Sequence, residues 1–307
     1  MKTNIAKRGL LLAITCSGVG ILPAAVVFDG FSPYHHVQVS DDQGMRMLSF
    51  NGSRETRMSL TNPLQGHFEY IEYFHTPWVW NRNIQRVLMM GLGGGSIQRA
   101  YQHYYTNVTI ETVEMDDVVI KVAKEFFQVK ETPRHKIRHQ DGRVFLQRAV
   151  QPYDLIIMDA YTVSRYGSSI PPHLTTREFF TMADAHLTTN GVLAYNVIGQ
   201  LEGWQADFMG AMYRTMKEVF PQVYAFPAES SMNVVLVATK SALPFTAAHV
   251  QRDGAELTRL GRVKMPGFAG RLSRFTSAPP KNSANCPVLT DDRAPVEKLI
   301  GGSGKSP

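Results

Sequence analysis

The chain has 307 residues, of which 44% are hydrophobic and 19% are charged, as in an ordinary globular protein. This composition excludes a disordered chain, and the length suits one large α/β domain with a small appendage or two modest domains. The formal net charge is +6, and residues 240–307 alone hold eleven Lys or Arg against five Asp or Glu. These basic residues are spaced singly among Gly, Pro and Ser, so we expect a solvated surface and no nucleic-acid partner.

Cysteine usage bears on metals and redox chemistry. The two cysteines are Cys16, inside the N-terminal apolar stretch, and Cys286, near the C-terminus. The folded body would therefore hold one thiol and no internal disulfide. No set of Cys and His has the spacing of a metal site, and we expect no metal.

The N-terminus combines basic and apolar residues. Lys2, Lys7 and Arg8 precede an uncharged run over residues 9–28. A basic start before an apolar segment is typical of a secretory signal, and the run is close to the roughly 20 residues that cross a bilayer as a helix. We predict that residues 1–28 are a signal peptide or a membrane anchor. Either would place the body membrane-anchored or exported, on the periplasmic side, with a cytoplasmic location as the alternative.

Residues 34–59 predict a small antiparallel β unit. The runs HVQV and MRMLSF carry strand-forming residues, and the turn sequences at 42–44 and 51–52 contain the Gly and Asn that hairpins use. An aromatic-rich, more helical stretch follows over residues 66–80. We treat residues 29–84 as one N-terminal unit.

From residue 86 onward, short apolar runs alternate with helical segments. This alternation predicts an α/β domain over residues 85–240, with a parallel sheet covered on both faces. Residues 241–307 predict a basic, loop-rich C-terminal tail with one helical segment over 247–260. The predicted strands are 87–90, 108–113, 136–139, 153–158, 191–197 and 234–238, and the predicted helices are 97–105, 118–127, 143–149, 177–187 and 206–220.

A glycine-rich turn follows the first of these strands. In VLMMGLGGGS, residues 87–96, an apolar strand runs directly into Gly91, Gly93 and Gly95 and then into a helix. Glycine is needed where the backbone approaches a nucleotide, because a Cβ would block that approach. The spacing is the methyltransferase-like one. A dinucleotide-binding dehydrogenase would have glycine where this chain has Ser96.

Acidic residues follow the next strands at matching positions. Glu114 ends the second strand, where a carboxylate can accept ribose hydroxyls; Asp141 and Gly142 follow the third, and Asp159 closes the fourth. The carboxyl ends of parallel strands lie along one edge of a sheet. These residues are therefore expected to line one crevice together with the glycine turn.

From about residue 32 to residue 237 the chain resembles the spermidine synthase family, the polyamine aminopropyltransferases. It resembles in particular divergent bacterial members with an N-terminal membrane segment. The matching stretches are SPYHHVQV, RVLMMGLGGGSIQRA, TVEMDDVVIKVAKEFF, HQDGRVFL, YDLIIMDAYT, HLTTREFF, LTTNGVLAYNV and, near the C-terminus, LTDDRAPVE.

The resemblance implies a Rossmann-like, class I methyltransferase-type doubly wound sheet preceded by a small antiparallel β unit. It implies decarboxylated S-adenosylmethionine or S-adenosylmethionine as co-substrate, a small-molecule amine as acceptor, and a homodimer formed through the N-terminal unit. Asp159 would be the catalytic residue that prepares the attacking amine. The residues implied to bind the co-substrate are Gly91, Gly93 and Gly95 at its nucleoside and amino-acid portion, Glu114 at the ribose, and Asp141 with Gly142 at the adenine.

The chain departs from the family pattern at positions where the family binds a cationic amine. Gly94 and Thr162 stand where the family has acidic residues, and Tyr70 and His35 stand where it has glutamines. Tyr70 and Thr162 are therefore candidate substrate residues, as is Tyr161, which is placed to cap the pocket. Each charge-assisted bond contributes about 1.5–3 kcal/mol, so these changes weigh against polyamine specificity.

Three functions remain open on the sequence. The first is an aminopropyltransferase that modifies putrescine or another amine. The second is an S-adenosylmethionine-dependent methyltransferase of the same fold, which Gly94 favours. The third is a non-catalytic nucleoside- or partner-binding protein, which the altered acids and the export-like leader favour.

Overall fold

A computed structural model describes residues 24–164 and 167–301. The chain begins there with a four-stranded antiparallel sheet, in the order β1 (Ala25–Phe31), β2 (His36–Asp42), β3 (Met45–Phe50) and β4 (Ser53–Ser59). Gln43 and Gly44, and likewise Asn51 and Gly52, have positive φ values of 47°, 77°, 48° and 85°. Two consecutive left-handed residues form the tight hairpin turn that matches strand twist, which confirms the predicted β unit.

The predicted leader falls mostly outside the described residues. Residues 1–23 are not described, whereas residues 25–28 form the first half of β1 and pair with β2, with Ala25 opposite Asp41. The antiparallel sheet therefore includes the last residues that the sequence pattern assigned to the leader.

The aromatic-rich stretch forms a 3₁₀ helix, Glu69–Val79. Pro77 lies inside it and has no N–H to donate to the carbonyl of Phe74, three residues earlier. The hydroxyl of Tyr101 donates to that carbonyl instead, at 2.6 Å. Tyr73 and Phe74 are fully buried, so this helix packs firmly against the main sheet.

The strands after the N-terminal sheet are β5 (Arg86–Met90), β6 (Thr109–Glu114), β7 (His135–His139), β8 (Tyr153–Met158), β9 (Thr162–Ser164), β10 (Gly167–Ser169), β11 (Leu187–Ile198), β12 (Gln222–Pro227) and β13 (Asn233–Thr239). Seven of them form the main sheet, in the order β12-β13-β11-β8-β5-β6-β7. All neighbouring strands of this sheet are parallel except at β13, which is antiparallel to both β11 and β12. The sequence missed β12, whose short connection to β13 permits an antiparallel hairpin.

Helices cover both faces of this sheet and confirm the doubly wound α/β class. The α-helices are α1 (Ser96–Tyr104), α2 (Asp117–Phe126), α3 (Gly142–Gln147), α4 (Arg177–Ala185), α5 (Ala206–Lys217), α6 (Ala247–Arg259), α7 (Phe268–Leu272) and α8 (Val296–Gly301). Two further 3₁₀ turns span Pro172–Leu174 and Ser283–Asn285. One core cluster joins the sheet to α4, α5 and α8, and the other joins it to the 3₁₀ helix, α1, α6 and α7.

The C-terminal region differs from the loop-rich tail that the sequence predicted. Val250 and Phe268 are buried in one core cluster, and Leu289 and Val296 are buried in the other. Residues 241–301 therefore pack on both faces of the main sheet. The sequence did not reveal this packing, because the apolar side chains of this region are spread thinly among Pro, Gly and basic residues. None of the helices in the described ranges combines the length and the apolar character needed to span a bilayer.

Candidate active site

A cavity lies at the carboxyl ends of β5, β6 and β8, between the main sheet and the N-terminal sheet. Its lining contains nine of the ten residues predicted for the site. These are Tyr70, Gly91, Gly93, Glu114, Asp141, Gly142, Asp159, Tyr161 and Thr162.

Gly95 is the predicted site residue that lies outside this lining. It precedes α1 with φ of 68°, and a Cβ there would overlap the side chain of Val129. The left-handed turn and the close packing against Val129 therefore explain why position 95 is a glycine.

The glycine turn is held by its neighbours on two sides. Gly91 donates its N–H to the carbonyl of Val113 at 2.9 Å, and a Cβ on Gly91 would overlap the backbone carbonyl of Asp159. On the other side, Gly94 donates its N–H to Thr56 Oγ1 of β4 at 2.9 Å. The N-terminal sheet thus fixes the turn from outside the α/β domain.

Glu114 closes β6 and turns its half-buried carboxylate towards the turn. Its Oε2 accepts from the N–H of Leu92 and its Oε1 from the N–H of Asp116, both at 3.0 Å. Burial raises the pKa of Glu114, while these backbone donors act in the opposite direction. The carboxylate lines the cavity as an acceptor for a polar ligand group.

Asp141 lies at the start of α3. Its Oδ1 accepts from the N–H of Val144 at 2.9 Å, which caps the helix, and its Oδ2 is 3.2 Å from Nε2 of His173. The hydrogen bond to His173 is the main reason why the pKa of Asp141 is lowered. His173, which also lines the cavity, lies in no recognised spacing and was not predicted. Gly142 packs close to Met90.

Asp159 directly follows β8 and receives two neutral hydrogen-bond donors. Asn196 Nδ2 donates to Oδ1 at 2.8 Å, and the Tyr70 hydroxyl donates to Oδ2 at 3.2 Å. Burial is the largest influence and raises the pKa of Asp159 to about 6. A carboxylate with this pKa is mostly ionised at neutral pH, yet is a better proton acceptor than an exposed aspartate.

Tyr161 and Thr162 continue from Asp159 along the cavity wall. The Tyr161 hydroxyl donates to the backbone carbonyl of Asn196 at 2.8 Å, so this residue ties the end of β8 to β11. Thr162 begins the short strand β9. Both residues line the cavity, and their contact with a substrate stays a prediction.

The sequence did not reveal Glu55, a further carboxylate in the cavity lining. Glu55 lies on β4 and accepts a hydrogen bond from Ser168 Oγ at 2.8 Å. Burial raises its pKa. Within the strand sequence SRETRMS, Glu55 looks like any polar residue of an exposed strand. Its partner Ser168 lies 113 residues further along the chain, so the local sequence does not show that Glu55 is buried.

The described ranges contain no group of three or more His, Cys, Asp or Glu arranged to hold a metal ion. A glycine turn, carboxylates at successive strand ends and a seven-stranded sheet with one reversed strand define a class I methyltransferase-type fold.

The comparisons with known proteins give the family. The chain matches the spermine/spermidine synthase domain over residues 68–238. It is 31% identical to the polyamine aminopropyltransferase of Vibrio vulnificus over 240 residues, covering 74% of this chain and 77% of that protein. The chain belongs to the spermine/spermidine synthase family, and it is accordingly a transferase.

Solved structures share the fold. A probable spermidine synthase from Corynebacterium glutamicum aligns with a TM-score of 0.63 and 22% identity, over 76% of this chain and 88% of that one. A spermidine synthase in complex with the transition-state analogue AdoDATO aligns with a TM-score of 0.59 and 20% identity, over 81% of this chain and 87% of that one. At these identities the likeness concerns the fold.

Proposed function

We propose that this chain transfers the aminopropyl group of decarboxylated S-adenosylmethionine to an aliphatic amine such as putrescine. The observation that carries the proposal is the position of Asp159, held by Tyr70 and Asn196 in the lining of the cavity that also contains the glycine turn and Glu114. The solved relative that binds AdoDATO has the same fold, which supports the choice of co-substrate.

The chemistry requires a base at this position. An aliphatic amine with a pKa near 10.4 is almost wholly protonated at neutral pH and lacks the free electron pair needed for attack. Asp159 orients the amine and takes one proton as the nitrogen bonds to the carbon attached to the sulfonium. The C–S bond breaks at the same time, and its electron pair stays on sulfur, which leaves as a neutral thioether. The positively charged sulfonium supplies the driving force, so the protein mainly aligns the reactants.

The cavity residues fit the nucleoside of this co-substrate. Gly91 and Gly93 line the cavity with φ of 96° and 50°, a left-handed backbone without side chains that a ligand can contact. Glu114 presents carboxylate oxygens suited to ribose hydroxyls, and Asp141 presents an acceptor suited to the adenine amino group. The 3₁₀ helix supplies Tyr70, which orients Asp159.

A coupled assay tests the proposal. Purified protein is incubated with decarboxylated S-adenosylmethionine and putrescine, and the aminopropylated amine and the thioether nucleoside are measured together by mass spectrometry. We expect both products in equal amounts. Formation of neither product across a panel of aliphatic amines, or of a methylated amine from S-adenosylmethionine, would contradict the proposal.

Methyl transfer from S-adenosylmethionine is the second candidate, and Gly94 favours it. A Cβ at this position would lie 2.6 Å from Thr56 Cγ2 and 2.9 Å from Phe127 Cδ1, so the turn cannot carry an acidic side chain in this packing. Calorimetry with both co-substrates distinguishes the candidates. Tighter binding of the decarboxylated form supports aminopropyl transfer, and tighter binding of the parent form supports methyl transfer.

A further inference from the structure

Two carboxylates line the reactive end of the cavity, and their partners in the described chain are neutral. Asp159 receives the Asn196 amide and the Tyr70 hydroxyl, and Glu55 receives the Ser168 hydroxyl. The Ser53 hydroxyl lies 3.1 Å from that of Ser168 and continues the neutral network. Within residues 24–164 and 167–301, neither carboxylate forms an ion pair with Lys, Arg or His.

Partly buried glutamates away from the cavity have cations beside them. Glu69 Oε1 lies 2.9 Å from Arg271 Nη1, and Glu111 Oε2 lies 2.6 Å from Arg86 Nη2. Burying a carboxylate is costly unless a positive charge compensates it. For Asp159 and Glu55 this compensation is missing from the described residues, so a cationic group of a ligand in the cavity would supply it.

Glu55 and Asp159 are close enough to contact the same bound ligand. Both line one cavity, together with Tyr70 and Tyr161, and the charge of Glu55 contributes to the raised pKa of Asp159. Because β4 brings Glu55 from the N-terminal sheet, the two carboxylates come from different sheets. Gly94 and Thr162, which stand where the family has acidic residues, carry no charge, whereas Glu55 adds a carboxylate to the lining that contains Asp159.

We propose that Glu55 is a specificity-determining residue that binds a primary ammonium group of the reactants beside Asp159. This inference rests on the proposed function. The ammonium group has two possible sources, the amine acceptor's non-reacting end and the aminopropyl group of the co-substrate. In either position, a carboxylate that accepts a charge-assisted hydrogen bond favours a ligand with this group over one without it.

Binding by matched ligand pairs tests the assignment. Calorimetry compares wild-type protein, Glu55→Gln and the exposed control Glu125→Gln. One pair is decarboxylated S-adenosylmethionine and 5′-methylthioadenosine, which lacks the aminopropyl ammonium. The other pair is putrescine and butylamine, measured with 5′-methylthioadenosine bound, where only putrescine has a second ammonium. We expect Glu55→Gln to weaken one ammonium-bearing ligand about tenfold or more while its partner changes little.

The affected pair identifies the source of the ammonium group. A Glu55→Asp variant keeps the charge and should retain more of the discrimination than Glu55→Gln, whereas a purely structural role would affect both members of a pair equally. Equal weakening of both members, or no change in either pair, would overturn the inference.

The experiments can disprove the proposed function and this inference independently of each other. An active wild-type enzyme whose discrimination is unchanged by Glu55→Gln overturns the inference alone. A protein that shows Glu55-dependent ammonium binding but transfers no aminopropyl group overturns the proposed function alone.

Discussion

Asp159 shows how a single residue acquires its chemistry from its surroundings. Burial makes the charged carboxylate unfavourable and raises its pKa to about 6, although Asn196 and Tyr70 partly offset this by hydrogen bonding. Neither donor carries a charge, so both orient the carboxylate while the effect of burial on its pKa still dominates. The sequence places an acid after β8, but the two donors come from β11 and from the 3₁₀ helix.

The first prediction concerns activity. Because a base must be ionised, the aminopropyl-transfer kcat should rise as the pH increases through about 6, where Asp159 loses its proton. Asp159→Asn should lower kcat by about 10²–10⁴-fold, with little effect on the binding of 5′-methylthioadenosine. The exposed Asp117→Asn serves as a matched control. A flat kcat profile between pH 5 and pH 7.5 would contradict this role.

The second prediction concerns stability. The folded pKa of Asp159 lies above its unfolded value of 3.8, so its contribution to stability is complete below pH 3.8 and is lost as the pH rises through about 6. Asp159→Asn removes this ionisation. The unfolding free energy of the variant relative to wild type should therefore increase by about 1 kcal/mol between pH 5 and pH 8. Urea denaturation at both pH values measures the difference, and a difference that shrinks over this range would disprove the assignment.

Among the elements, the contact between β4 and the glycine turn joins the N-terminal sheet to the nucleoside-binding domain. Thr56 accepts the N–H of Gly94 through Oγ1, and its methyl group occupies the space that a side chain at position 94 would need. The absence of an acid at position 94 therefore has a packing reason in this chain.

The third prediction follows from this contact. Gly94→Ala should destabilise the protein by about 1–3 kcal/mol, because the added methyl overpacks against Thr56 and Phe127. Gly270→Ala in α7 is the matched control, since no atom lies within 4 Å of the position that its Cβ would occupy. Thermal unfolding of both variants checks the expectation. Equal melting temperatures for the two variants would contradict the packing argument.

A second contact between elements connects the C-terminal segment to the rim of the cavity. Arg143, in α3, donates Nη1 and Nη2 to the two carboxylate oxygens of Asp291 at 2.7 and 2.6 Å. The same Nη1 donates to the carbonyl of His173 at 2.9 Å, and Thr176 donates to Asp291 at 2.7 Å. The LTDDRAPVE motif therefore holds the two segments that carry Asp141 and His173.

The fourth prediction tests this positioning role. Asp291→Asn should raise the KM for the nucleoside co-substrate about 3–10-fold and leave kcat nearly unchanged. The reason is that the variant binds the ground state and the transition state equally less well. The neighbouring exposed Asp292→Asn should behave as wild type. A fall in kcat at constant KM would assign Asp291 a different role.

For the whole molecule, the N-terminal sheet and the C-terminal region complete the α/β domain, and the cavity lies between its two larger sheets. β4 supplies Glu55 and Thr56, and residues 241–301 close both faces of the main sheet. The homodimer through the N-terminal sheet stays a prediction.

The fifth prediction concerns the leader. If residues 1–28 act as an export signal or an anchor, a C-terminal reporter that is active on only one side of the membrane should report a location outside the cytoplasm. Deleting residues 1–23, which precede β1, should move the reporter to the cytoplasm. Reporter activity confined to the cytoplasm in both forms would refute an exported body.

The sequence by itself determined the fold class, the glycine turn and the acids at the ends of the strands. These features depend on local periodicity and on the fact that parallel strands end at one edge, so spacing alone placed Glu114, Asp141 and Asp159. The tertiary structure alone decided that Glu55 and Asp159 line one cavity, that Thr56 excludes a side chain at position 94, and that Asp291 holds Arg143. These contacts join segments between 38 and 148 residues apart in the sequence. No local pattern encodes such a pairing, because it forms only when separate elements pack together.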